Sequence, residues 1–528
     1  MTTPSASANL ASDAQQQPAT DAQTAFALAQ RFHLPLAALD AGIPKDVLDE
    51  IPAMIARDHR VLPLGYSGEQ LRVAMSEPTD TEAIQLLQFL TERSLSIEVA
   101  AEDALVRKIE ASYDFPSGAE DFATLDATYL QPERSSHPRD TDPMFVAKPV
   151  VRLVQSILLE AIRRDASDIH IRPGEKDVEL IFRIDGDLIP VHRFPRKLLQ
   201  PIVSRIKILG LMDITEHRKP QDGQLRIMVG AKGIDVRISI LPSSEGESVV
   251  MRLLATRIGM KGLDAIGLSP VDTQHLKDAL DRSQGMFLVT GPTSSGKSTT
   301  LYAALNAVIH QNVNIITVEN PVEFRIPGIT QIPINDEVGM TFARALRNIL
   351  RHDPDVIMIG EIRDEETAHI AVESAQTGHL VLSTLHTNSA AATVARLIEM
   401  GIESYLLRAT LLGVLAQRLV KRNCPDCLVP EEVDPHVREL LRVGATEEFY
   451  RGAGCTKCAG TGIRGRRMTY EYLVATPALR QLIVAGVDET VLREQALRDG
   501  MVPLTQHAIG LARTREIPLQ EAYLTRLE

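Results

Sequence analysis

The segment Gly291-Pro-Thr-Ser-Ser-Gly-Lys-Ser restricts what this chain can fold into more than any other. It fits G-x-x-x-x-G-K-[ST] without a gap, with an apolar run at 286–290 ahead of it and a helical stretch at 298–310 behind it. From average residue usage, those four fixed positions co-occur by accident in roughly 2% of chains this long. Glycines let backbone N–H groups close around phosphate oxygens, and a helix N-terminus adds favourable partial charge. The pattern predicts a nucleotide cradle formed by Gly291, Pro292, Thr293, Ser294, Ser295, Gly296 and Thr299. Lys297 then reaches the β- and γ-phosphates, and the Ser298 hydroxyl holds Mg²⁺.

Such a loop needs a buried sheet around it, and residues 258–420 supply the strands. Phe287-Leu-Val-Thr, Asn314-Ile-Ile-Thr-Val, Val356-Ile-Met-Ile and Leu380-Val-Leu-Ser are short, continuous apolar runs. Parallel strands covered on both faces read that way, so the block is α/β. Phosphoryl chemistry also needs an acid near Mg²⁺ and a group that activates water. Val356-Ile-Met-Ile-Gly360-Glu361 is an apolar strand ending in an acid; because Gly360 holds the usual Asp position, Glu361 acts alone, through a metal-bound water. Thr317-Val-Glu319-Asn-Pro-Val-Glu323 is a second acidic strand end, and either glutamate suits a base. His379 and His386 flank the strand at 380–385, each open to a structural donor role or a γ-phosphate sensor role.

The other segments divide by composition and period. At 528 residues the chain holds roughly three to five domains. Residues 1–23 lack period and read as a disordered tail. A small α+β module at 24–113 carries a hairpin around Gly65 and Gly68, and a capping box, Thr79 with Glu82, opening a helix at 83–93. Its last strand alternates through Leu95, Ile97 and Val99. Residues 114–147 read as a flexible linker that lets this module move. A second α+β module at 148–257 opens with an amphipathic helix at 150–164 and has turns at Gly186 and Gly223. A four-cysteine segment at 421–470 and a helical region at 471–528 follow the α/β block.

Charge and cysteine usage narrow the partners. Lys plus Arg is 56 against 69 acidic residues, a net charge of −13, and Trp is absent. That balance, with few aromatics, points away from nucleic acid. No apolar run approaches the ~18 residues of a membrane span, and the first residues do not read as a secretory signal; a cytoplasmic chain is expected. The four cysteines form two C-x-x-C pairs, Cys424 with Cys427 and Cys455 with Cys458, separated by 27 residues. Four soft thiolates suit a closed, structural Zn²⁺ site. Around them lie Lys421, Arg422, Lys457, Arg464, Arg466 and Arg467. These form either a solvated basic surface or a contact for anionic lipid or an acidic partner, since clustered cations gain roughly 1 kcal/mol each near a leaflet.

Taken in order, residues 291–299, 317–323, Met358-Ile-Gly-Glu-Ile-Arg-Asp and 377–388 resemble the four boxes of the secretion-superfamily ATPases of bacterial type II secretion and type IV pilus assembly. Ala166-Ser-Asp-Ile-His-Ile-Arg-Pro and Lys219-Pro-Gln-Asp-Gly resemble the family's second-domain signatures, and the likeness is strong over 149–426. The resemblance implies an α/β multi-domain chain: a RecA-like P-loop ATPase core, a PAS-like second domain, a small N-terminal docking domain, a tetracysteine zinc insert and a helical tail. It implies ATP, Mg²⁺ and Zn²⁺ as cofactors, and a homo-hexamer whose ATP turnover rotates the second domain. It implies Glu323 as the water-activating base, Glu361 as the Walker B acid, and Arg237 and Arg252 offsetting charge at the γ-phosphate. Of the two histidines, His386 is taken as the candidate sensor from its place beside the P-loop strand.

Two residues depart from the family pattern. Asn320 replaces an Asp and Gln224 replaces an Arg, with Arg226 close by; an active ATPase is still expected. The resemblance further implies docking of the N-terminal domain on an inner-membrane platform. Related domains bind cyclic di-GMP, but their Arg-Leu-Gly opening is not visible near 25–36, which favours protein docking. The expected function is a motor for type II secretion, peripherally associated with the inner membrane, on the pattern of residues 412–420. Type IV pilus assembly is the alternative, and a nucleic-acid translocase or a non-hydrolysing regulator are further ones.

Overall fold

The alternation of short apolar strands around glycines builds the first sheet. The computed structural model describes residues 21–113, 127–130, 148–229, 232–254, 262–309 and 312–526. It divides into two units, Met1–Ala231 with Val236–Leu253, and Lys232–Asp235 with Leu254–Glu528. In the first unit, β1 (Val61–Ser67) and β2 (Gln70–Met75) form the expected hairpin, and β3 (Leu95–Val99) joins β2 in parallel. Val61, Leu62, Leu71 and Val73 are fully buried, as are Leu86 and Leu87 of the helix Thr81–Thr91. The expected capping box is replaced: Asp80 is the N-cap and accepts from the Glu82 and Ala83 N–H groups. Thr79 instead turns its hydroxyl to Glu77. The expected disordered tail reached residue 23, but the helix Asp21–Phe32 includes its last three residues; residues 1–20 lie outside the described residues.

Most of the expected linker also lies outside the described residues, yet β4 (Ala127–Leu130) within it is a strand, antiparallel to β8 (Gln221–Val229). With β5 (Asp168–Pro173), β6 (Asp177–Ile184), β7 (Asp187–Pro195), β9 (Lys232–Ser243) and β10 (Gly246–Leu254) they form one sheet in the order β4-β8-β9-β10-β5-β6-β7. Gly186 makes the β6–β7 turn, as expected, whereas Gly223 lies inside β8.

The small module is joined to the second α+β module by side-chain contacts. Its helix Ala53–Asp58 packs on the amphipathic helix Lys148–Arg163. There Arg57 donates to the buried Glu160 at 2.8 Å, Arg164 donates to the same carboxylate at 2.7 Å, and Arg163 reaches Asp58 at 3.1 Å. A buried carboxylate requires such partners, and they fasten the module to the helix.

The second unit is built on β11 (Gly285–Thr290), β12 (Ile315–Glu319), β13 (Thr330–Pro333), β14 (Val356–Ile359), β15 (Leu380–Leu385), β16 (Leu411–Asn423) and β19 (Ile463–Val474), with β17 (Leu428–Pro430) and β18 (Tyr450–Gly452) forming a separate pair. The sheet order is β13-β12-β14-β15-β11-β16-β19, parallel except for β19, which runs antiparallel to β16. Alternate residues serve opposite faces: Met286 and Leu288 enter one core, Phe287 and Val289 the other. That double burial is why these strands read as unbroken apolar runs. The sheet continues past the expected boundary at 420, and the cysteine segment is an excursion between β16 and β19. Its small core joins Val437, Leu441 and Phe449 to the tail helices through Ile509, Leu511 and Leu519. No helix among the described residues is long and apolar enough to cross a membrane.

Candidate functional site

Loops that follow parallel strands open at one edge of the sheet, where ligands of such sheets bind. The loops after β11, β12, β14 and β15 carry residues 291–296, Glu323, Glu361 and His386 respectively, so sheet topology gathers these four expected segments at that edge.

The phosphate loop has the local features that an anion requires. Gly296 is the N-cap of the helix Lys297–Val308, at φ 91°, and no side chain caps that helix. Thr341, Asp364 and Ser389 cap three other helices of the unit with their own oxygens. The first-turn N–H groups of Lys297–Val308 therefore lack the side-chain acceptor given to those helices, and a phosphate supplies one. Lys297 Nζ donates to the carbonyls of Gly291 at 2.7 Å and Pro292 at 3.1 Å. Burial lowers its pKa, and the nearby Glu361 charge opposes that shift. Neutral carbonyls are weaker partners for an ammonium than phosphate oxygens, and these contacts hold the lysine at the loop.

The acids sort themselves by what they touch. Glu319, buried, takes hydrogen bonds from Tyr302, from Thr317 at 2.6 Å and from Gln331 at 3.1 Å. A carboxylate so engaged is a structural acceptor, which leaves Glu323 as the base candidate of that pair. Glu323 is half-buried, and its N–H donates to the Tyr302 hydroxyl at 3.4 Å. Glu361 accepts from Arg363 at 2.6 Å and meets His386 Nε2 at 3.1 Å. Burial favours its neutral form, but the Arg363 and His386 hydrogen bonds and charges outweigh burial and hold the carboxyl below its ordinary range. Glu361 is thus kept ionised beside the lysine. At Gly360 a Cβ would stand 3.3 Å from the Val318 carbonyl oxygen, so the close approach of β12 accounts for glycine there.

The two histidines separate. His379 precedes β15, at the opposite edge of the sheet, and its Nδ1 lies 2.9 Å from the Ser374 carbonyl oxygen, a structural helix-end contact. Arg237 and Arg252 belong to the first unit, on the neighbouring strands β9 and β10. Arg252 is held by Asp168 at 2.9 Å. Sequence reasoning missed Arg363 and the threonine bridge in which the Thr387 N–H donates to Thr290 Oγ1 at 3.0 Å, tying the end of β11 to the His386 loop. Arg363 and Thr387 both lie inside the motif boxes, but nothing in those boxes says which side chain or strand end each one meets.

The four cysteines converge. Cys424 Sγ lies 3.8 Å from Cys455 Sγ, Cys427 Sγ 3.9 Å from Cys458 Sγ, and Cys455 Sγ 3.7 Å from Cys458 Sγ. Tetrahedral Zn–S bonds of about 2.3 Å place sulfurs about 3.8 Å apart, whereas a disulfide needs about 2.05 Å. The set fits zinc. Burial opposes ionisation of Cys458, but N–H groups of Cys455 and Gly462 donate to its sulfur and bring the thiol down to about 7. Of the surrounding cations, Lys457 and Arg464 pair with Asp426, and Arg467 pairs with Glu516.

Comparison with known proteins accords with this arrangement. Residues 146–523 match the family described as Type II/IV secretion system protein, and residues 32–119 match the MshEN domain. The chain is 42% identical to the type IV pilus assembly ATPase PilB of Myxococcus xanthus, over 90% of this chain and 86% of the relative. It is 43% identical to the type II secretion system protein E of Pseudomonas aeruginosa, over 82% and 88% respectively. With the type II secretion system ATPase E of Vibrio cholerae the figure is 48%, over 66% and 69%. The fold is similar to that of the Legionella pneumophila ATPase DotB, with TM-score 0.53 and 21% identity over 73% of this chain and 97% of that one. With a match across 146–523 of its 528 residues, the chain belongs to the type II/IV secretion system protein family.

Proposed function

We propose that this chain is a motor ATPase that powers type II protein secretion by driving pseudopilus assembly. The observation that carries the reading is the uncapped helix start at Gly296, with Lys297 and the ionised Glu361 at the same sheet edge. Gly291 to Thr299 hold the triphosphate, with Lys297 on the β- and γ-phosphates. Ser298 and Glu361 hold Mg²⁺, which when bound neutralises phosphate charge. Glu323 takes the proton of the attacking water as the bond from the γ-phosphorus to the β,γ-bridging oxygen breaks, and ADP and phosphate leave. His386 senses the γ-phosphate through its contact with Glu361. Arg237 and Arg252 offset the developing charge when a domain rotation brings them in, in a homo-hexameric ring. The four cysteines hold a structural Zn²⁺, the 24–113 module docks on an inner-membrane platform, and the basic surface near the cysteines meets anionic lipid.

Type IV pilus assembly is the second reading, favoured by the 90% coverage in the match to the Myxococcus protein. Steady-state ATP hydrolysis, with Lys297→Ala as the blank, tests the enzyme. Turnover of wild type no greater than the blank rejects it. Stimulation by anionic vesicles supports a membrane-docked motor, and stimulation by single-stranded DNA alone favours a translocase. Deleting the chain in its host separates the two secretion readings: loss of exported enzymes with pili retained supports the first, and the reverse supports the second.

A further inference from the structure

We propose that Gln417, on β16, is the positioning residue that sets the shape of the phosphate loop and thereby the protein's preference for nucleotides carrying a β-phosphate. This rests on the nucleotide reading above and extends it to a residue outside the four motif boxes.

The parallel register of β11 and β16 pairs Thr290 with Ala416, so Gln417 stands where β11 ends and the loop begins. Its residue is 1% exposed. The side-chain oxygen accepts from the Thr300 hydroxyl at 2.8 Å, and the side-chain nitrogen donates to the Ser295 carbonyl at 2.8 Å. The carbonyl partner fixes which end of the amide is which, because a flipped amide would set two acceptors against each other. The backbone makes a second contact: a Cβ at Gly291 would collide with the Gln417 carbonyl oxygen. At Gly296 a Cβ would lie 3.2 Å from the Gln417 side-chain nitrogen. One residue therefore touches the loop's first glycine, its last glycine, the carbonyl between them and the first turn of the helix.

Peptide geometry carries this contact to the ligand. In a planar trans peptide the C=O and the next N–H point in opposite directions. Pinning the Ser295 oxygen onto Gln417 turns the Gly296 N–H away from Gln417. That N–H is among the donors a phosphate loop directs at its ligand. Without the side-chain amide, the 295–296 peptide is released to rotate, and Gly296, having no Cβ, offers little resistance. The loop would remain, but its donors would no longer be held for a β-phosphate. AMP lacks that phosphate and should be nearly indifferent to the change.

The test is calorimetric binding of ADP and of AMP to the full chain, for wild type, Gln417→Ala, Gln417→Glu and Thr300→Ala, with thermal unfolding of each in the absence of nucleotide. Gln417→Ala should lower ADP affinity at least tenfold and AMP affinity less than threefold, so the preference collapses. General destabilisation would lower both together. Thr300→Ala removes one of the two side-chain bonds, and should lose less than Gln417→Ala and add little to it in the double variant. Gln417→Glu keeps an acceptor for Thr300 and can donate to Ser295 only when protonated, so its ADP affinity should fall as pH rises while that of wild type does not follow. It also serves if the alanine variant fails to fold. A folded Gln417→Ala with ADP-to-AMP preference within twofold of wild type overturns the proposal. A wild-type chain with no preference for ADP overturns the nucleotide reading itself, and this inference with it.

Discussion

Replacing Glu160 with Gln perturbs the attachment of the small module at one atom. The Glu160 side chain is 1% exposed, and Arg57, Arg163 and Arg164 surround it at 22%, 11% and 14%. Glutamine keeps the shape and an acceptor oxygen but leaves three guanidinium groups with no matching charge at their centre. Removing one partner of a buried ion pair costs about 3–5 kcal/mol; partial exposure of Arg57 and the remaining Asp58 contact place this case near the lower bound, about 3 kcal/mol. At about 1.4 kcal/mol per decade, local opening should rise by about two orders of magnitude. Hydrogen exchange reads it directly: amides of Ala53–Asp58 and of Lys148–Arg163 should exchange about 100-fold faster, while β11 and β15 are unchanged. Arg57→Ala should give a smaller effect, because Arg163 and Arg164 still face the carboxylate. Acid should imitate the variant. Burial alone would raise the Glu160 pKa, but Arg164 and Arg57 outweigh it and the net shift is downward. Its contribution is therefore complete above the unfolded carboxyl pKa of about 4.3 and is lost only as pH falls below that, through the lower folded value. Unchanged exchange in both helices of Glu160→Gln at neutral pH would refute this account of the attachment.

Three other outcomes are expected at the site. Glu323→Gln should lower ATP turnover by about 10²–10⁴, the usual contribution of a positioned base, with ADP binding retained; turnover equal to wild type removes Glu323 from that role. Intact, reduced protein should carry one zinc per chain by elemental analysis, and Cys455→Ser should lose most of it and melt earlier, whereas well below one zinc in wild type rejects the metal. Arg466→Glu with Arg467→Glu should weaken binding to anionic vesicles in a salt-sensitive way; binding unaffected by the pair leaves that surface as merely solvated.

What could be read from sequence was what is written locally. The phosphate loop, the four buried strands and the cysteine pairs each fit within a dozen residues, and steric or ligand chemistry fixes their spacing. The hairpin at 61–75 was legible for the same reason, since its turn and its alternation are contiguous. The capping box at Thr79 failed at this same scale: Asp80 offers an equally short side chain one residue later, and sequence alone could not say which would turn toward the helix. β4 and β19 were missed because an edge strand is defined by its partner. Ala127–Leu130 has no alternation of its own to show, and β8 supplies its register. β19 carries Arg464, Arg466 and Arg467 before its buried half, so it read as part of a basic surface.

The candidate site shows the same division more sharply. The apolar-strand pattern alone separated neither Glu319 from Glu323 nor His379 from His386, because each pair lies at or just beyond strand ends; the expectation of Glu323 as the base came from the family resemblance. Tertiary contacts separate them: Tyr302 and Gln331 occupy Glu319, and the Ser374 carbonyl occupies His379. The residues proposed to act on the nucleotide are thus legible because their chemistry demands particular side chains at fixed spacing. The residues that hold them, Arg363, Thr387 and Gln417, lie within or beside segments the sequence singles out, but their hydrogen bonds are ones other polar side chains could also make, so their partners are not readable from those patterns. Gln417 lies 122 residues from the carbonyl it pins. Sequence motifs in such a chain accordingly announce side chains whose chemistry is demanded at fixed spacing, whereas a contact such as that of Gln417 with the Ser295 carbonyl exists only once the folded sheet brings distant strands together.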